Sequence, residues 1–168
     1  MTEIKIPSSN ELTQLSDAKV SMRLQVFSFK IETQTAPEFI DLTELTKDCV
    51  EKSGILNGSI TIFSKHTTAA IKINENEPLL IQDMEKFLER IAPRNGDYLH
   101  NDFTIRTVNM TEDECPNGHA HCQQLLLSTS ETIPILNGEV QIGQWQSLFL
   151  IELDRPRPRE VLFQISGG

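Results

Sequence analysis

Apolar and polar residues alternate over residues 22–33, with Met22, Leu24 and Val26 on one parity and Phe27, Phe29 and Ile31 on the other. A period of two marks a strand whose successive side chains face opposite ways, and the change of parity predicts a bulge or bend near 26–27. Asp41 followed by Glu44 has the form of a capping box and predicts a helix over about 42–52, closed by Gly54. Residues 59–63 and 69–73 are β-rich runs that fit either one continuous strand or a bent pair joined through the His66 segment. Pro78, with Asn76 before it as cap, opens a helix over 78–92 whose one face carries Leu80, Met84, Phe87, Leu88 and Ile91. Asp83 falls at the edge of that face.

Residues 93–97 are a turn by composition, which puts His100 on a loop or a strand start. A polar stretch over 111–117 leads into a helix over 118–127. Three strand-like runs close the chain, at 132–136, 140–150 and 160–165, and the Asn137-Gly138 pair between the first two is a hairpin signal. Residues 1–19 show little periodicity and read as a polar N-terminal extension, so the fold proper occupies 20–168.

The length of 168 residues suits one domain with its own core. Fifteen Lys and Arg against 24 Asp and Glu leave a net charge of −9, which argues against nucleic acid or an anionic membrane surface as a partner. A phosphorylated ligand would need local positive charge. No apolar run approaches the roughly 20 residues that cross a bilayer, and the N-terminus has no basic region followed by an apolar one, so a cytoplasmic location is expected. Cys49, Cys115 and Cys122 are odd in number and lack metal or redox spacing, which reads as ordinary thiols.

The densest chemistry lies over 65–83, where His66, Thr67 and Thr68 lead through an apolar run into Asn74, Glu75, Asn76 and Glu77, then Asp83. All four histidines fall between 66 and 121. His66, His100 and His121 are candidate metal ligands by residue type, although their spacing matches no compact metal signature; the bland alternative is surface or hydrogen-bonded core histidines. Glu75 and Asp83 are candidate general bases or orienting partners for an imidazole, with a structural hydrogen-bonding role as the alternative, while Glu77 suits a helix N-terminus. Gly143 and Trp145 interrupt the 140–150 run, marking a bulge or a ligand approach, with Trp145 otherwise a core residue. Arg157 and Arg159 belong to the one concentrated positive patch and suit a bidentate phosphate clamp.

Taken together these segments resemble the YjbQ family, described as secondary thiamine-phosphate synthases. The resemblance rests on Gly54-Ile55, Gly58, His66-Thr67-Thr68-Ala69-Ala70, Asn74-Glu75-Asn76-Glu77-Pro78, Asp83, Tyr98-Leu99-His100-Asn101, Asn117-Gly118-His119-Ala120-His121, Ile133-Pro134, Gly138, Gly143-Gln144-Trp145-Gln146, and Asp154, Pro156, Arg157 and Arg159, in order over about 20–167. It implies an α+β domain with an antiparallel, sandwich-like β-sheet and a few packed helices, associating as a homotrimer. It further implies a pocket where His66, His100 and His121 meet around a divalent metal, zinc or magnesium, with His66, Glu75 and Asp83 as catalytic groups and Thr67, Thr68, Asn74, Ser130, Gly143, Trp145, Arg157 and Arg159 around a small phosphorylated substrate. The implied reaction joins an aminopyrimidine methyl diphosphate to a thiazole phosphate and releases pyrophosphate, as a principal or a secondary activity. A metal-assisted hydrolase of a phosphorylated metabolite and a non-catalytic trimeric binder of a small anion are the alternatives. Ser128 stands where the family pattern has glycine, which bears on substrate fit there.

Overall fold

A computed structural model describes residues 21–168 of the chain, so the expected extension over 1–19 lies outside the described residues. Among the described residues, eight strands and three α-helices follow one another as β1 (Arg23–Glu32), β2 (Glu38–Asp41), α1 (Thr43–Ser53), β3 (Gly58–Ser64), β4 (Ala69–Asn74), α2 (Pro78–Ile91), α3 (Gly118–Leu126), β5 (Ser130–Leu136), β6 (Glu139–Val140), β7 (Ser147–Glu152) and β8 (Pro158–Gly167). A short 3-10 turn, Leu99–Asn101, precedes α3. The strands form two antiparallel sheets, one ordered β1-β8-β3-β5-β6 and the other β2-β7-β4. The architecture is the α+β, sandwich-like one expected.

Side-chain parity explains the layers. Ile60 and Ile62 of β3, Ile133 and Ile135 of β5 and Val161, Phe163 and Ile165 of β8 point from the larger sheet onto Ile71 of β4 and Leu148 and Leu150 of β7, with Cys49 and Val50 of α1 closing one end. The opposite parity of β7, Phe149 and Ile151, points the other way and meets Leu88 of α2 and Ala120 of α3 in a second cluster. Because β7 is covered on both faces, it reads as an unbroken apolar run rather than an alternating one. Burying a Leu, Ile or Phe side chain is worth about 1.5–3 kcal/mol, so these two clusters hold the layers together.

Several local expectations are corrected. No bulge interrupts β1, which pairs residue for residue with β8 from Arg23 opposite Gly167 to Glu32 opposite Pro158. Its apolar residues occupy both parities because Leu24 and Val26 stand exposed on the outer face while Phe27, Phe29 and Ile31 pack inward. The Asp41/Glu44 capping box does not form: Asp41 accepts the Thr43 amide and Glu44 pairs with Lys47. The cap of α2 is Glu77, whose carboxylate accepts the Leu79 and Leu80 amides, and Asn76 donates to Asp41 instead. Only Leu88 of the expected apolar face of α2 is buried, while Phe87 and Ile91 are exposed. The 140–150 run splits into β6 and β7 around a turn in which the Gln146 amide bonds to the Gly143 carbonyl. The Asn137-Gly138 hairpin forms as expected, with φ of 53° and 81°.

The β3–β4 connection decides where the chemistry goes. β3 belongs to the larger sheet and β4 to the smaller, so residues 65–68 cross from one layer to the other at the end of the sandwich. The bent-pair reading holds. Thr67, exposed, and Thr68, buried, are carried at that crossing.

Candidate functional site

Gly118 opens α3 against the 3-10 turn, and an added Cβ there would lie 2.6 Å from the Tyr98 Cβ. That close approach, secured by the Gly118 amide donating to Asn101 Oδ1 at 2.9 Å, brings His100 of the turn against His121 of the helix. Their rings stand edge to face with centroids 4.6 Å apart. The pair lines a polar cleft of about 480 Å³ together with Thr67, Thr68, Arg106 and Arg157. Glu114 and Asn117 add to its polar wall.

Behind the pair runs a hydrogen-bonded chain. His100 Nε2 lies 3.1 Å from Asn117 Oδ1, and Asn117 Nδ2 donates to Asp154 Oδ2 at 3.4 Å. With the amide so placed, its oxygen accepts, which makes His100 Nε2 the protonated nitrogen. Asp154 is itself buried and ion-paired with Arg157. Arg106 pairs with Glu114 at 3.4 Å, both largely buried at the cleft wall. Burial, and then the neighbouring His100 imidazole, holds His121 below the ordinary histidine pKa, so at neutral pH its ring is free to accept a proton.

Beneath the cleft an ion pair bridges the two sheets. Arg159 shares the inward parity of Val161, Phe163 and Ile165 on β8, and Glu152 shares that of Leu148 and Leu150 on β7. Arg159 is 1% exposed and Glu152 0%. Arg159 Nε donates to Glu152 Oε2 at 2.5 Å, and its Nη2 donates to Glu152 Oε1 and, at 3.0 Å, to Thr68 Oγ1. Arg157 Nη2 donates to the same Thr68 oxygen at 3.1 Å.

The structure therefore corrects several site expectations. Arg159 does not clamp a ligand, because its strand parity sends it inward to Glu152. His66 is not gathered with the other two imidazoles: its Nε2 accepts the Glu160 amide of β8 at 2.8 Å, a bond that requires the neutral ring with its proton on Nδ1. Burial, followed by the charges of Arg159 and Arg157, lowers its pKa. Asp83 lies on the open side of α2 beside Lys86, and Glu75 is exposed on the β4–α2 connection. Asn74 lines a separate apolar cavity of about 260 Å³ beneath α2. Ser130 lines a shallow groove on the outer face of the larger sheet, and Gly143 and Trp145 are exposed in the β6–β7 turn, Trp145 at 68%. The Ser128 hydroxyl lies 2.8 Å from the Ile71 carbonyl and 2.9 Å from Glu131 Oε1, with one proton to give between them, and so ties β4 to the start of β5 away from the cleft. Arg106 and Glu114 do not stand out in the sequence as site residues, and Asp154 enters there only within the family pattern, with no role assigned to it.

The zinc or magnesium implied by the resemblance is tested by these donors. His100 and His121 are two imidazoles; His66 commits Nε2 elsewhere, and the Glu114 and Asp154 carboxylates are held by arginines. Among the described residues no three His, Cys, Asp or Glu side chains converge on one point. A catalytic zinc takes three protein ligands and magnesium favours carboxylate and phosphate oxygens. The described side chains of one chain do not fit a resident metal.

Fold and cleft together define a two-sheet α+β domain carrying a histidine- and arginine-lined polar cleft at one end of the sandwich. The chain belongs to the UPF0047 protein YjbQ-like family, whose model matches residues 27–168. It is 36% identical over 148 residues to a UPF0047 protein of Methanothermobacter thermautotrophicus, spanning 88% of this chain and 96% of that one. A Methanocaldococcus jannaschii UPF0047 protein is 32% identical over 143 residues, 84% and 94% of the two chains. Among solved structures, a YbjQ-like protein of unknown function from Sulfolobus solfataricus superposes with a TM-score of 0.73 at 34% identity, over 87% of this chain and all of that one. A hypothetical protein from Aeropyrum pernix does so at 0.71 and 28% identity, over 87% and 99%. No helix among the described residues is long and apolar enough to cross a membrane.

Proposed function

We propose that the cleft binds a small phosphorylated substrate and stabilises a departing diphosphate, in a transferase of the thiamine-phosphate synthase type. The observation that carries this reading is the convergence of Arg106, Arg157, two threonines and the His100–His121 pair on one cleft in a chain of net charge −9. Such a field favours anion entry only where cations are concentrated. In the reaction the bond from the pyrimidine methylene carbon to the diphosphate oxygen breaks, and both electrons leave with pyrophosphate. The thiazole nitrogen lone pair forms the new carbon–nitrogen bond. Negative charge therefore grows on the leaving oxygen, where preorganised donors contribute most. Arg157 and Arg106 line the cleft as guanidinium donors, their charges partly offset by the Asp154 and Glu114 carboxylates that hold them in place. His121, its pKa held down by burial and then by the neighbouring His100 imidazole, offers a neutral ring that can take up a proton in the cleft.

Association as a homotrimer belongs to the same reading. The outer face of the larger sheet leaves Leu24 and Val26 of β1 exposed and, across β8, Phe63 of β3, with Val26, Leu162 and Phe63 lining one groove, an apolar surface suited to a second copy of the chain. Light scattering after size exclusion reads the assembly directly.

Incubation of the purified protein with both phosphorylated precursors, followed by separate assays for thiamine phosphate and pyrophosphate, tests the activity. The expected result is stoichiometric formation of both, lowered at least about 100-fold by His121→Ala, the scale of general acid–base assistance. Pyrophosphate without thiamine phosphate identifies a hydrolase, and absence of both products removes the transferase reading.

A further inference from the structure

Resting on the reading of the cleft as an anion site, we propose that Thr68 is its oxyanion-recognising donor, with a hydroxyl proton directed into the cleft by the buried Arg159–Glu152 pair behind it. A threonine hydroxyl has two acceptor positions and one proton to give. Both acceptor positions of Thr68 Oγ1 are taken by guanidinium N–H groups, from Arg157 at 3.1 Å and Arg159 at 3.0 Å. Its only remaining capacity is to donate, and no described residue accepts that proton. Thr68 is 4% exposed, and a nearly buried hydroxyl with an unused donor needs an acceptor. The cleft that Thr68 lines is the side from which one can come.

The chemistry of the acceptor follows from the neighbours. Two cations on one hydroxyl oxygen polarise its O–H bond and make it a stronger donor than an isolated threonine. An atom arriving there meets a donor beside the Arg157 guanidinium, whose charge Asp154 offsets only in part, so an acceptor oxygen of a phosphate or diphosphate suits the position and an amine donor does not. Arg159 never reaches the ligand. It is a positioning residue: its Nη2 also donates to the Thr68 carbonyl at 3.3 Å, and Glu152 holds the guanidinium through both carboxylate oxygens. Thr33 and the Leu153 and Asp154 amides in turn fix that carboxylate.

Titration calorimetry with inorganic pyrophosphate on the full chain, comparing wild type with Thr68→Ser, Thr68→Val, Arg159→Lys and the Thr68→Val/Arg159→Lys double variant, tests the assignment. Thr68→Ser is expected to bind within about 3-fold of wild type. Thr68→Val should bind at least about 10-fold more weakly, as expected for losing a hydrogen bond to a charged group. Arg159→Lys should weaken binding in the wild-type background and add nothing in the Thr68→Val background, because it acts through the hydroxyl. A folded Thr68→Val that binds pyrophosphate like wild type overturns the subsite and leaves the anion cleft standing. Additive losses in the double variant overturn the positioning role of Arg159, and a wild type that binds no pyrophosphate overturns subsite and cleft reading together. Should Thr68→Val lose its cooperative melting transition, the proton spectrum of the wild type decides. A Thr68 hydroxyl resonance that slows in exchange and shifts on adding pyrophosphate supports the assignment, and a spectrum unchanged by pyrophosphate overturns it.

Discussion

Replacing Glu152 by glutamine strikes the point where the two sheets are joined electrostatically. The carboxylate has five donors within reach: Arg159 Nε and Nη2, the Leu153 and Asp154 amides, and the Thr33 hydroxyl, whose one proton it shares with the Arg157 carbonyl. Glutamine keeps one oxygen and turns an NH2 toward the rest. If the oxygen stays with the two backbone amides, the NH2 meets the Thr33 hydroxyl, which can rotate to accept, and Arg159 Nε–H, which cannot. The guanidinium offers donors only and Arg159 is 1% exposed, so water does not compensate it. Removing one partner from a buried pair costs about 3–5 kcal/mol. At roughly 2–4 °C per kcal/mol for a domain of this size, the melting temperature should fall by about 6–20 °C. The double replacement of Glu152→Leu with Arg159→Met should recover most of the loss, because the desolvation cost of both charges disappears with them. Differential scanning calorimetry and urea titration at pH 7.5 read both variants. A Glu152→Gln protein melting within about 1 °C of wild type would mean that the pair is hydrated or exchanged for other partners, and the account of the sandwich end would fail.

Three further outcomes are expected. Stability should fall as pH drops from about 6.5, because His66, His119 and His121 all have folded pKa values lowered chiefly by burial. The sign follows from the unfolded chain binding more protons than the folded one below that pH, so that stability rises with pH through the window; melting curves from pH 8 to pH 5 that do not move would refute it. Asp83→Asn should leave stability within about 0.5 kcal/mol of wild type and leave turnover unchanged, since Asp83 is exposed beside Lys86; a loss of activity would return it to the site. Gly138→Ala should cost roughly 1–2 kcal/mol from the left-handed backbone alone, because a Cβ at φ +81° meets only Leu56 Cδ2, at 3.5 Å; unchanged stability in urea would show that the hairpin relaxes.

Much of the local structure is legible because it depends on neighbours in the chain. The period of two in β1, Pro78 at the start of α2, Gly54 beyond α1 and the Asn137-Gly138 hairpin are short-range signals, and each appears in the structure. The misreadings share one cause. Leu24 and Val26 suggest a bulge because apolar residues on an outer face cannot be told from inward ones by pattern. Arg159 suggests a ligand clamp because it sits in a run of arginines and prolines, yet the parity that buries Val161 and Phe163 is already visible two and four residues on. Asp83 reads as half-buried when α2 is taken to pack along its whole apolar stripe, whereas Leu88 alone is buried.

By itself, then, the order of residues determined most of the elements, though neither the short β2 nor the division of 140–150, together with the membership in a family, because hydrogen-bonding periodicity, caps and turn conformations are set within a few positions. Tertiary structure alone decided which polar groups meet. His100 faces His121 because Gly118 lets a turn and a helix touch. His66 is kept apart by an amide of β8, and Thr68 receives two arginines because the chain changes sheets beside it. Those encounters depend on strand order and layer crossing between residues up to 94 positions apart, and no local rule of spacing contains that information.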